Sequence, residues 1–86
     1  MDDDLRKKGK HLLPVVRVGK SGLTDSLIAE IKKHLKKKRL IKVKFLKSAL
    51  VQGTVKEFAE VISEKTGSEI VFVIGLNAVF HIGKRK

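Results

Sequence analysis

The chain has 86 residues, with 20 Lys and Arg against 9 Asp and Glu, a formal net charge of +11. That length allows one small core and excludes an enzyme with separate cofactor and substrate domains; 42% hydrophobic and 34% charged residues mark a globular chain rather than a disordered one. Cys is absent, so there is no disulfide framework or thiolate metal site; no apolar run approaches the roughly 20 residues of a membrane span, and the acidic start Met1-Asp2-Asp3-Asp4 is not a signal peptide, so a soluble cytoplasmic protein is expected.

Asp2 to Leu13 reads as a short helix. Its aspartates suit the positive N-terminal end, Arg6, Lys7, Lys8 and Lys10 follow, and Leu5 and Leu12 are the expected buried contacts. Gly9 weakens it, and Pro14 ends it. Val15, Val16, Arg17 and Val18 form a β-branched run, a strand, broken by Gly19-Lys20-Ser21-Gly22. The next helix has Thr24 as N-cap, Asp25 in its first turn, and Leu23 with Ile28 as a hydrophobic staple. Its apolar stripe is Leu27, Ile28, Ile31 and Leu35, with Lys32, Lys33, Lys36 and Lys37 off the stripe.

Leu40 to Leu46 alternates: Ile41, Val43 and Phe45 point one way, Lys42 and Lys44 the other. A loop near Lys47 to Ala49 leads to a helix whose apolar positions are Val51, Val55, Phe58 and Ile62, with Gly53 near its start and Gly67 ending it. Ile70 to Ile74 is apolar on both faces and reads as a central strand. Gly75-Leu76-Asn77 turns the chain into Ala78 to Ile82, an antiparallel hairpin partner. Gly83-Lys84-Arg85-Lys86 reads as a frayed basic tail.

The expected fold is therefore a compact α/β domain over residues 1–86, helix-strand-helix-strand-helix-strand-strand (αβαβαββ), with three helices and a four-stranded mixed sheet. Two strand–helix–strand units imply parallel pairing among the first three strands.

Charge is distributed unevenly. From Ile31 to Lys56 there is no acidic residue, whereas Glu57, Glu60 and Glu64 form an acidic stripe. Heat-adapted proteins with lysine-rich surfaces interleave Glu with Lys, and this stretch does not, so a nucleic-acid partner is expected. The motif that carries chemistry is Gly19-Lys20-Ser21-Gly22, between a strand and a helix start. Free backbone N–H groups and the positive helix end attract phosphate, the glycines permit close approach, and Lys20 and Ser21 supply a cation and a hydroxyl. Such a GxxG loop clamps a nucleic-acid backbone in KH domains. By itself the motif better fits a turn that merely needs glycine; the adjacent basic helix reverses that in favour of the clamp. Gly-Lys-Ser is no P-loop, because the required earlier glycine is replaced by Pro14.

Val16-Arg17-Val18-Gly19-Lys20-Ser21-Gly22-Leu23-Thr24 resembles the signature of the CRM (YhbY-like) domain family. The similarity continues through Leu40-Ile41-Lys42-Val43-Lys44, Thr66-Gly67 and Val73-Ile74-Gly75, across nearly the whole chain. The resemblance implies a fold similar to the C-terminal domain of translation initiation factor three. It also implies RNA binding, with large-subunit ribosomal precursors or group II introns as targets, and a GxxG loop at Gly19, Lys20, Ser21 and Gly22. A role for Lys32, Lys33, Lys36, Lys37 and Arg39 along neighbouring phosphates comes from charge, as does one for Lys42 and Lys44 if their sheet face is open.

Other chemistries find little support. His11, His34 and His81 lack zinc-ligand spacing, and no nucleophile, base and acid cluster for catalysis. No cofactor, small-molecule substrate or membrane partner is expected. Phe45, Phe58 and Phe72 read as core, leaving Phe80 undecided, so recognition should rest on phosphate, 2′-OH and RNA shape. The expected function is RNA binding by a monomer, on ribosomal RNA or pre-ribosomal particles. A DNA-coating chromatin protein and a permanent structural subunit of a ribonucleoprotein are the alternatives.

Overall fold

The computed structural model describes residues 3–83; Asp2 and the basic segment 84–86, part of the sequence reading above, lie outside them. Three helices, α1 (Asp3–His11), α2 (Asp25–Lys38) and α3 (Val55–Thr66), accompany four strands, β1 (Pro14–Val18), β2 (Leu40–Phe45), β3 (Glu69–Ile74) and β4 (Asn77–His81). The expected mixed α/β architecture is present, in the expected element order.

Helix ends follow local chemistry. Leu27 N–H donates to Thr24 Oγ1 at 3.1 Å, capping α2. At α3, Glu57 N–H donates to Thr54 Oγ1 and Thr54 N–H to Glu57 Oε1, a reciprocal capping box. Gly67, at φ 72°, ends α3. α2 instead ends on Arg39 at φ 67°, a left-handed conformation that costs an L-residue about 1–2 kcal/mol. Two bonds hold it there: Arg39 N–H donates to the Leu35 carbonyl at 2.7 Å, and Ile82 N–H donates to the Arg39 carbonyl at 2.9 Å.

The strand order is β1-β2-β4-β3. β1 and β2 pair in parallel as expected. β3 runs in the same direction as β2 but does not pair with it, because β4 inserts antiparallel between them. This corrects two expectations: parallel pairing does not extend to the third strand, and Ile70 to Ile74 is an edge strand. The short hairpin turn forces one of its strands to the edge. Docking β4 sets Phe80 opposite both Ile41 and Ile70, where it is fully buried, while Ile74 is left 53% exposed.

Helices α2 and α3 cover one sheet face. Ile28, Ile31 and Leu35 of α2 and Phe58 and Ile62 of α3 meet Ile41, Val43, Phe45 and Phe80. The rings of Phe45 and Phe58 stack with centroids 5.7 Å apart. Leu27, expected in the same stripe, is only partly buried. α1 covers the other face through a smaller cluster, Leu5 and Leu40 against Val71, Phe72 and Val79. A register shift between Ile70 and Phe72 lets consecutive residues Val71 and Phe72 both bury there. Gly9 is explained by this packing: a Cβ on it would lie 2.9 Å from Phe72 Cε2 and 3.0 Å from Val79 Cγ1.

Between β2 and α3, Lys47–Val51 forms a 3₁₀ helix rather than a loop. Val51 belongs to it and is 88% exposed, so its expected place on the apolar stripe of α3 is corrected: Thr54, not Val51, starts that helix.

Candidate nucleic-acid interface

Gly19-Lys20-Ser21-Gly22 leaves the end of β1 and enters α2. Gly22 N–H donates to the Gly19 carbonyl at 2.9 Å, closing a β-turn with exposed Lys20 and Ser21 at its centre. The turn is pinned from outside. Gln52 Nε2 donates to the Lys20 carbonyl at 2.5 Å, and Leu46 N–H donates to the Val18 carbonyl at 2.8 Å. No sequence signal pointed to Gln52, which lies 32 residues from its partner.

The two glycines have different reasons to be there. Gly22 is required by the fold: its φ is +71°, and a Cβ would sit 2.9 Å from Gln52 Oε1. Gly19 is not: its φ is not positive, and a Cβ would make ordinary 3.6 Å contact with Leu46 Cδ1. Its small size leaves backbone open to an approaching group beside Lys20 and Ser21.

α2 extends from this turn for 14 residues, about 20 Å at the usual rise. Lys32, Lys33, Lys36 and Lys37 are all exposed on it. They pair as Lys32 with Lys36 and Lys33 with Lys37, one turn apart, a like-charge spacing that costs an isolated helix about 0.2–0.5 kcal/mol per pair. Glu30 lies 3.8 Å from His34 and, one turn before Lys33, is an acidic neighbour along this row of lysines. The furrow of about 800 Å³ among Lys33, His34, Lys36, Lys37 and Lys38 is space between long stems on a convex helix.

The remaining sequence candidates fall elsewhere. Arg39 is at the far end of α2, and its guanidinium donates to the Gly83 carbonyl at 3.4 Å. Lys42 and Lys44 lie on the opposite sheet face, and α1 covers part of that face: Lys42 Nζ donates to the Lys10 carbonyl at 3.4 Å. Lys44, half-buried, is set beside exposed Arg17 by the β1–β2 register. Arg17 was missed as a candidate, although its alternation with Val16 and Val18 places it on the Lys44 face, two residues from the turn. Arg17 and Lys44 thus lie near the Gly19–Gly22 turn on one face, while Lys32, Lys33, Lys36 and Lys37 line the second half of α2 on the other, so the basic groups form no single plane.

All four Phe are buried, Phe80 included, so no aromatic stacking platform exists among the described residues. They also contain no group of three or more His, Cys, Asp or Glu that could hold a metal ion, and no helix long and apolar enough to cross a membrane.

Proteins similar to the chain by sequence or shape include the following. The probable RNA-binding protein MJ0652 of Methanocaldococcus jannaschii is 44% identical over 71 residues, covering 83% of this chain. This chain spans about half, 52%, of that relative's length. The probable RNA-binding protein YqeI of Bacillus subtilis is 34% identical over 77 residues, covering 90% of this chain and 78% of the relative. The solution structure of the hypothetical protein SAV1595 from Staphylococcus aureus superposes with a TM-score of 0.79 at 33% identity, covering 98% of this chain and 85% of that one. The family model for the CRS1 / YhbY (CRM) domain matches residues 2–85. With the turn, the helix it feeds and the sheet order all in place, the chain belongs to the CRS1/YhbY (CRM) domain family.

Proposed function

We propose that this chain binds structured RNA, without turnover, by gripping a backbone segment at Gly19–Gly22 and laying neighbouring phosphates along Lys32, Lys33, Lys36 and Lys37. Ribosomal RNA in large-subunit assembly or RNA processing is the target class, in keeping with the family. The observation that carries the reading is the turn itself: Gly19 has no steric or φ requirement in the fold, while Lys20 and Ser21 stand exposed beside it at the α2 N-terminus. Arg17 and Lys44 extend the positive rim. The names of MJ0652 and YqeI support RNA as the partner. Burial of every Phe favours readout of phosphate and shape over base stacking.

A competition titration tests this. Labelled large-subunit ribosomal RNA fragments are competed with duplex DNA, tRNA and single strands across a salt series. The reading expects structured ribosomal RNA to win by tenfold or more, about 1.4 kcal/mol, and expects Lys20→Asp with Ser21→Asp to abolish that advantage in a folded protein. Equal competition by all polyanions would instead mark a non-specific coat.

A further inference from the structure

The end of the molecule away from the Gly19–Gly22 turn holds an open groove of about 590 Å³ between the last turns of α1 and α2. Its cations come from three places: Lys8 on α1, Lys38 at the end of α2, and Arg39 beyond it. Leu5 and Leu40 give it an apolar wall, and His81 of β4 also lines it.

Three observations single this groove out. First, His81 Nδ1 is buried and has no hydrogen-bond partner; Glu69, opposite it in the β3–β4 ladder, makes no bond to it. Buried polar atoms are nearly always paired, and a rotation of the imidazole at the groove wall brings this one within reach of an arriving group. Second, Arg39 holds a left-handed conformation that glycine takes at most such helix ends. Strain kept at one position where a cheaper residue exists points to a use for the side chain, and its one bond, to the Gly83 carbonyl at 3.4 Å, leaves most of the guanidinium's five donors unused. Third, charge favours an anion there. Two helix C-termini bring about half a negative charge each, and three formal positive charges outweigh them.

We propose that this groove is a second RNA site, taking one nucleotide. Its phosphate meets Lys8, Lys38 and Arg39, its base lies on Leu5 and Leu40, and the His81 imidazole rotates to bring Nδ1 to a polar edge of the base. The proposal rests on the RNA-binding reading above and deepens it. α2 separates this site from the Gly19–Gly22 turn by about 20 Å, so the chain spans two points of a folded RNA rather than one.

The test is an NMR titration of the whole chain with adenosine and uridine 5′-monophosphates, with inorganic phosphate and the free nucleosides as separate arms. Expected are amide shifts at Leu5, Leu40 and His81 with the monophosphates, and much weaker ones with phosphate or nucleoside alone. Arg39→Gly relieves the left-handed strain, so it should melt no lower than the parent while binding the monophosphates about tenfold more weakly, as for loss of a charge-assisted contact. Lys20→Asp with Ser21→Asp should keep the groove shifts. Shifts confined to the Gly19–Gly22 turn and α2 lysines, equal shifts with phosphate alone, or unchanged binding by Arg39→Gly would each overturn the proposal. Failure of the RNA reading looks different: ribosomal RNA then gains no preference in the competition titration, whatever the nucleotide arms show. If ribosomal RNA binds Arg39→Gly at full strength but not the Lys20→Asp, Ser21→Asp protein, the turn stands and the groove falls.

Discussion

The two faces of the sheet are built by different means. On one, α2 and α3 bring long aliphatic and aromatic side chains onto Ile41, Val43, Phe45 and Phe80, all but fully buried. On the other, the short helix α1 sits on Val71, Phe72 and Val79 through Leu5 and the bare backbone at Gly9. Arg6 adds a guanidinium 5.8 Å from the centre of the Phe72 ring, a contact worth about 0.5–1 kcal/mol where exposed. The first face obtains stability from buried volume, the second from close approach. A small basic protein can thus leave one helix face free for lysines because the core beneath that helix is dense, while the thinner face has to spend its cations locally, as Lys42 does on the Lys10 carbonyl.

The comparison breaks most visibly if the dense face is hollowed. Phe80→Ala removes a fully buried ring from β4, opposite Ile41 of β2 and Ile70 of β3, and should cost about 3–5 kcal/mol, read as a lower denaturant midpoint with an unchanged m-value. A loss below about 1 kcal/mol would mean that this face is not the main core. Next in size is the thin face. Gly9→Leu drives a side chain into Phe72 and Val79 and should cost about 1–3 kcal/mol, despite leucine's better helix propensity. Hydrogen exchange should locate the loss: α1 amides lose protection while α2 and α3 keep theirs. Uniform loss would show that the two faces unfold as one. The smallest effect separates the faces by function. Lys33→Ala should lower the slope of log affinity for RNA against log salt by about 0.7–0.9, whereas Lys42→Ala, whose ammonium is tied to α1, should leave it unchanged. Equal slopes for both variants would remove the distinction.

Much of this was readable beforehand, for local reasons. Thr24 before an apolar stripe, Gly67 after one, and the alternation from Ile41 to Phe45 each act within a few residues, so the helices and strands could be placed from spacing alone. The turn at Gly19–Gly22 was legible in the same way, as two glycines between a strand and a helix. Its geometry was not, because the bond that steadies it comes from Gln52, beyond the next strand. Val51 misled because its spacing to Val55 and Phe58 fits a helix, while the Thr54–Glu57 capping box starts the helix later.

By itself the sequence determined the element order, the family resemblance through the strand-turn-helix signature, and the uneven charge that directs attention to RNA. Only the tertiary structure decided the sheet order, the use of Gly9 and the fate of the cations. Ile70–Ile74 and Ala78–Ile82 are both apolar enough to lie inside a sheet, and either could pair with β2. The choice rests on which pairing buries Phe80 against Ile41 beneath the helices, a contact between residues far apart in the chain that no local pattern encodes. Likewise, a lysine's sequence position does not say whether it faces solvent, as Lys33 does, or a neighbouring helix, as Lys42 does; packing of distant elements settles it.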